Sequence, residues 1–276
     1  MRKTFEYIYI ITLSIATVIY LLQDGLDLFS NDNETNYVKY KKTLLWDGVH
    51  YSGKACDHPY VDLALPSGTK WAIYNVGADR PLSKGFMFAW AEKYGDKLVY
   101  DWSHYAYAQH DCPDWNGIYK YTIPDMCFDG KWYSRQKIFN GDGHSVLMNE
   151  DDAAKFFYGE EWCMPSPEQV SELINGCNWY YDEECNDNGI LGFKGISKYN
   201  GLIIFFPIST LAVVHTDNKT EQKMNYIFEG SDTHYWTNSL AGVTSMAFSF
   251  KFSDSSVVLS QMSRCNAAFV RGVCEN

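Results

Sequence analysis

The chain has 276 residues, a formal net charge of −11, and is 46% hydrophobic and 17% aromatic. That length and apolar content are enough for one sizeable core and exclude a disordered or collagen-like chain. The acidic balance makes nucleic acid and anionic lipid poor partners.

Arg2 and Lys3 precede an almost unbroken apolar run from Tyr7 to Leu22, so residues 1–26 read as an export signal or a membrane anchor. The run is shorter than the about 20 residues that span a bilayer upright, yet Gln23-Asp24-Gly25 offers no small-residue cleavage site. Cleaved signal and single N-terminal anchor both stay open, and either exports the remainder of the chain. Residues 27–55 read as a polar linker with a lead-in strand, and residues 56–276 as one domain. Eight cysteines in an exported chain read as a disulfide framework, with buried free thiols as the other reading.

Within the domain, Val61, Leu63 and Leu65 alternate with Asp62 and Ala64, and Pro66-Ser67-Gly68-Thr69 supplies turn residues before a second alternating run from Trp71 to Val76. A strand, a turn and a second strand are expected, with Phe86, Phe88 and Trp90 folding back over that hairpin. Residues 93–140 have weak periodicity and are expected to form long loops. Asn149 is a candidate cap for a short helix carrying Ala153, Phe156 and Phe157. Ser166, Pro167 and Gln169 form a capping box for a better helix with Val170, Leu173 and Ile174 on its buried stripe, stopped at Asn175-Gly176. Strands are expected at Trp179–Tyr181, Ile190–Ile196, Leu202–Phe206 and Met246–Phe252, the last half-buried, and then at Val257–Leu259 and Phe269–Val273. The fold class is α+β.

No nucleophile elbow, phosphate loop, zinc-protease helix or dinucleotide fingerprint is present. His104, His110 and Cys112 lack zinc-site spacing, and Glu184–Gly189 fails as a calcium loop at both ends, so no metal or cofactor is expected. These residues point away from an enzyme.

The run Tyr60–Ala72, followed by Asn75-Val76-Gly77-Ala78 and Phe88-Ala89-Trp90, resembles the opening of the Fibrobacter succinogenes major paralogous domain family. Glu150–Ala154, Trp162–Ser166, Tyr235–Ser239 and Val270–Val273 match further landmarks in order, so the resemblance covers about residues 58 to 274. Cys163 departs from it by standing where Arg is usual. The resemblance implies a bacterial exported or cell-surface protein of C-type lectin-like architecture with its first and last strands paired. Pairing of Val61–Leu65 with Phe269–Val273 would in turn bring Cys56 to Cys274 as a disulfide. Calcium-dependent sugar binding is not implied, because the Glu-Pro-Asn and Gln-Pro-Asp tripeptides are missing.

The expected function is ligand binding or adhesion without catalysis, on the cell surface, at the periplasmic face or secreted, toward a surface protein or glycan. A site is expected around Tyr235, Trp236, Asn238, Arg264 and Asn266, with Asn238, Arg264 and Asn266 at its rim and Trp236 open as core or contact. Failing that, the 93–140 insertion is the next place to look. The alternatives are a structural surface or filament subunit and an oxidase of the formylglycine-generating type, which shares the fold. The oxidase would need Cys265 and Cys274 together, yet a hairpin turn at Asn266-Ala267 sets them about 23 Å apart.

Overall fold

The structure, a computed structural model, describes residues 44–46, 49–124, 141–185, 190–208, 232–253 and 256–275. The N-terminal apolar run, the 27–43 tract, the 125–140 part of the insertion, the acidic turn at 186–189 and residues 209–231 lie outside the described residues. One compact unit begins at Thr43.

The unit is built from small, mostly antiparallel sheets and short helices. Strands β1 (Leu44–Trp46) and β2 (Val49–Tyr51) form a ladder of their own, and β3 (Gly53–Ala55), β4 (His58–Val61) and β5 (Lys70–Ala72) form a meander after it. After β6 (Met87–Phe88) come a long irregular stretch, helix α1 (Ala153–Tyr158), β7 (Trp162–Cys163) and helix α2 (Pro167–Gly176). Strands β8 (Cys177–Cys185), β9 (Ile190–Ser197) and β10 (Ile203–Pro207) make a three-stranded antiparallel sheet. The chain then runs through β11 (Thr233–Leu240), β12 (Met246–Ser253) and β13 (Ser256–Ser263), and ends in β14 (Ala268–Phe269) and β15 (Val273–Cys274). Two five-stranded sheets result, ordered β13-β12-β11-β14-β6 and β3-β4-β5-β15-β7.

The sheets share one core. Phe206 packs edge-on to Tyr235 and Phe250, with ring centroids 5.0 and 5.3 Å away, and Trp179 meets Phe252 at 5.5 Å. At the junction sits Arg271, fully buried. Its guanidinium donates to the Asn75 side-chain oxygen at 2.7 Å and to the carbonyls of Ala72 and Phe205 at 3.0 and 2.9 Å, and lies over the Phe206 ring. Two separate segments, 72–75 and β10, thus supply three acceptors to one cation, which is how a buried charge without a carboxylate partner is kept hydrogen-bonded.

Helix α2 matches the expectation in detail. The Ser166 side chain accepts from the Gln169 N–H, the Gln169 side chain accepts from the Ser166 N–H, Pro167 occupies the first turn, and Val170 and Leu173 are buried. Its stop has a different cause from a left-handed cap. Cys177 continues directly in extended backbone, and a Cβ at Gly176 would lie 2.6 Å from a Leu65 methyl, which would have to shift.

Other expectations are corrected. Burial does alternate through Val61–Leu65, but the strand ends at Val61 because Asp62 turns the chain by accepting the Ala64 N–H, and Ala64 takes a positive φ of 53°. The second strand is only Lys70–Ala72, and Trp71–Val76 is buried on both sides. The segment does fold back on the end of the hairpin at Phe86, whose N–H donates to Val76 O at 2.8 Å, but Met87–Phe88 then pairs with β14 in the other sheet. Asn149 opens a single 3-10 turn; α1 is capped by Asp152, whose carboxylate accepts from Lys155 N–H. Phe269–Val273 is not one strand: the chain changes sheet between β14 and β15. The first and last strands are therefore not neighbours, because β5 lies between β4 and β15. Met246–Phe252 is a strand, yet Ala247 and Ser249 are buried as well as Phe250 and Phe252, so it is covered on both faces over part of its length. Cys56, Cys112, Cys163, Cys177, Cys265 and Cys274 carry free thiols.

Candidate ligand-binding surface

The residues singled out for binding divide between core and surface. Tyr235 and Trp236 are interior: the Tyr235 hydroxyl donates to Pro207 O at 2.8 Å and accepts from the Asn75 amide, while Trp236 Nε1 donates to Phe88 O at 2.7 Å. Arg264 is no rim residue, being 0% exposed. Its guanidinium donates to the Tyr105 hydroxyl at 2.8 Å and to the carbonyls of Tyr121, Thr244 and Lys120, and it lies 4.8 Å from the Trp90 ring centroid. The aromatic cage of Trp90, Tyr105 and Tyr121 is thus filled by the chain's own cation and closed to a ligand's.

Asn238 and Asn266 are half-buried and stand apart. Asn238 is tied to Pro165 and Leu147 through its backbone, and its side-chain oxygen accepts from Ser239. Asn266 lies in the turn after β13, where its N–H donates to Ser263 O. The expected five-residue site is therefore not assembled, since three members are core and the other two lie on different elements, Asn238 in β11 and Asn266 in the turn after β13.

The 93–124 segment presents a better surface. Apart from one 3-10 turn at Trp115–Gly117 and a single bridge between Ala108 and Ile118, it is held by tyrosine hydroxyls acting as donors. Tyr100 donates to Met87 O at 2.6 Å, Tyr105 to Trp90 O at 2.8 Å, and Tyr119 to Ala106 O at 2.8 Å. Glu92, buried, accepts the Ala106 N–H at 2.7 Å and pairs with Lys97. These bonds satisfy backbone groups that a sheet would have paired.

Asp151 closes the frame. Its buried carboxylate accepts from Lys120, from the Tyr121 hydroxyl at 2.5 Å and from the Tyr107 hydroxyl at 2.8 Å. Burial pushes this carboxyl upward, but the hydrogen bonds from Lys120, Tyr121 and Tyr107, with the Lys120 charge, outweigh it and hold it below the ordinary range. Burial and the Asp151 carboxylate both push the Tyr107 and Tyr121 phenols up, so they remain donors at neutral pH.

On this frame large apolar side chains face water. Leu98 is 93% exposed, Tyr94 71%, Tyr119 52% and Phe156 51%. Tyr94 and Phe156 meet edge-to-face at 6.0 Å, and Lys93 lies 5.3 Å from the Phe156 ring centroid while donating to Glu150 O. Behind Phe156, Phe157 packs at 5.2 Å and continues into Phe86 and Phe88. Singly exposed apolar residues need no explanation, but a paired one backed by half-buried Phe157 and Phe86 and buried Phe88 is an organised contact. Sequence reasoning placed a site on this insertion only as a fallback. The available signal was the Phe156-Phe157 doublet, since a helix as short as α1 cannot turn both rings inward.

Cys265 and Cys274 do not form one site. The Cys265 thiol lies 3.2 Å from the Ser263 hydroxyl in the turn after β13, whereas Cys274 sits in β15 between β5 and β7. Among the described residues no three His, Cys, Asp or Glu side chains are placed to hold a metal ion. No family model, curated protein or solved structure matches the chain.

Proposed function

We propose that this chain is an exported or cell-surface ligand-binding or adhesion domain without catalytic activity, of C-type lectin-like architecture and similar to the Fibrobacter succinogenes major paralogous domain family. Its contact face is the 93–124 segment together with α1. The observation that carries the reading is the exposed Tyr94–Phe156 pair with Lys93, seated on a half-buried cluster of edge-to-face aromatics and a hydrogen-bonded loop frame. Aromatic faces beside a cation suit both a sugar ring and a protein hot spot, and a frame fixed in advance lowers the ordering cost of binding. The partner is a glycan or a surface protein.

The test compares the full chain with a Tyr94→Ser/Phe156→Ser variant on a glycan array and on intact bacterial cells. At least a tenfold loss of binding with an unchanged melting transition is expected. Retained binding moves the site elsewhere, and self-association without binding to either target replaces the reading with a structural surface subunit.

A further inference from the structure

Cys56 lies at the tip of the β3–β4 hairpin, and Cys163 and Cys274 lie on the paired strands β7 and β15. The two-residue tip, Cys56-Asp57, joins Ala55 to its ladder partner His58, and its φ values are 42° and 65°. A two-residue hairpin turn of this kind suits Asn-Gly, and residues bearing an ordinary side chain hold it under strain. The tip leans on the segment between α1 and β7. Cys56 N–H donates to the Glu161 carboxylate at 2.9 Å, Trp162 Nε1 donates to Ala55 O at 2.9 Å, and a Cβ added at Gly159 would lie 3.1 Å from the Cys56 sulfur.

Cys274 is the ladder partner of both Trp162 and Lys70. Its side chain therefore leaves the sheet on the face from which the Trp162 indole reaches the hairpin tip. Cys163 is the partner of Val273, one residue away, and points to the opposite face. The alternation selects Cys56 over Cys163 as the thiol that can meet Cys274. Cys56 is exposed and Cys274 buried.

We propose that Cys56 and Cys274 are a reversible dithiol–disulfide couple that clasps the hairpin tip to the C-terminal strand. The oxidant is a small-molecule disulfide such as oxidised glutathione. The exposed Cys56 thiolate attacks one of its sulfurs, the carrier S–S bond breaks, and one carrier thiol leaves. The Cys274 thiol loses its proton to solvent and attacks the Cys56 sulfur, the mixed disulfide breaks, and the second carrier thiol leaves. The protein gives up two electrons and two protons, and the carrier receives them. Closure needs the two Cα atoms within about 7 Å, and the strained tip, rather than the ladder, is the part that moves. Burial pushes the Cys274 thiol up to about 11, Lys70 draws it back, and Glu161 and Cys56 raise it further. The resolving step accordingly accelerates about tenfold for each pH step of one between 7 and 10.

The test equilibrates the purified full chain in reduced and oxidised glutathione, alkylates the free thiols, and maps non-reduced peptides by mass spectrometry. A peptide joining Cys56 to Cys274 in the oxidised sample, absent after reduction and undiminished in Cys163→Ser, is expected. Its closure rate should rise with pH as stated. Alkylation of both cysteines in the oxidised sample, or either joined elsewhere, overturns the proposal. Mapping the wild-type chain requires no variant to fold; Cys56→Ser, at an exposed tip, should remove the oxidised gain in melting temperature while leaving the reduced value unchanged.

Discussion

The sheet region around β11 and the 93–124 segment meet the same demand by different means. In the sheet, backbone groups pair with one another and aromatic rings do the packing: β11 and β12 run antiparallel from Thr233↔Phe252, and Tyr235, Phe250 and Phe206 fill the space between sheets. In the loop, tyrosine hydroxyls reach out to backbone carbonyls of the preceding segment, as with Tyr100 on Met87 and Tyr105 on Trp90. Tyrosine serves both regions, as a core ring with a satisfied tip in one and as a pin in the other. Stability in the first rests on buried area, and in the second on individual hydrogen bonds. Packing of that kind is costly to alter anywhere, whereas pins leave the side chains between them free to vary.

The contrast is broken most directly in the sheet. Trp236, fully buried and bonded to Phe88 O, ties β11 to β6 across the intervening β14. Trp236→Ala should cost about 3 to 5 kcal/mol, through lost burial and the cavity left behind. Denaturant melts should show that loss. A cost below about 1 kcal/mol would mean that the ring is not core.

A second effect belongs to the same strand. His234 lies 3.0 Å from the Ser249 hydroxyl, and burial, with the Lys251 charge, lowers its pKa to about 4 despite Asp232. Folded, the imidazole is neutral over a range where the unfolded chain binds a proton near the ordinary value of about 6.5. The unfolded state therefore gains protons first. Stability contributed above pH 6.5 is lost as pH falls from about 6.5 toward 4, by at most roughly 3 kcal/mol, and the slope flattens below that. Burial also raises the carboxyl of Asp152. The difference between wild type and His234→Asn isolates the histidine: the variant should show the shallower slope between pH 6.5 and 4.

Tyr105 tests the loop. Its hydroxyl accepts from Arg264 Nε at 2.8 Å and donates to Trp90 O at 2.8 Å, so it supports a buried cation as well as the backbone. Tyr105→Phe should cost about 1.5 to 3 kcal/mol, the range for a hydrogen bond to a charged group. Equal losses for Tyr105→Phe and Trp236→Ala would erase the distinction between the two regions.

What was legible in the sequence was local. The Ser166–Gln169 capping box depends on residues three apart, and it formed as read. The cores of β8, β9 and β10 were legible from the apolar and aromatic residues of Trp179–Tyr181, Ile190–Ile196 and Leu202–Phe206, while the polar ends of β8 were not. Arg264 and Arg271 were misjudged or passed over because charge belongs outside unless partners are found, and theirs come from far along the chain: Arg271 reaches Ala72 across 199 positions. Tyr235 and Trp236 offered no alternation to separate inside from outside, since successive residues of β11 are buried. The loop's hydroxyl pins carry no periodicity at all. An aromatic-rich segment without a period can be framed or unframed, and only the carbonyls it meets decide which.

The smallest expected effect is also the most specific to the loop. The Tyr100 hydroxyl donates to Met87 O at 2.6 Å and accepts from Lys97 N–H at 3.0 Å, while Met87 O also accepts from Asp96 N–H at 2.8 Å. In Tyr100→Phe the carbonyl keeps one partner and the ring keeps its burial, so the loss should be about 0.5 to 1.5 kcal/mol. It should be local: faster amide exchange across 94–98, where the Lys97 N–H has lost its acceptor, with little change in β11 and β12. Because Tyr94 and Leu98 project from those residues, the variant should weaken binding through a less ordered contact face more than it weakens the fold. Uniformly faster exchange over the whole domain would show that the pin supports the core, and would end the distinction between a packed sheet and a pinned loop.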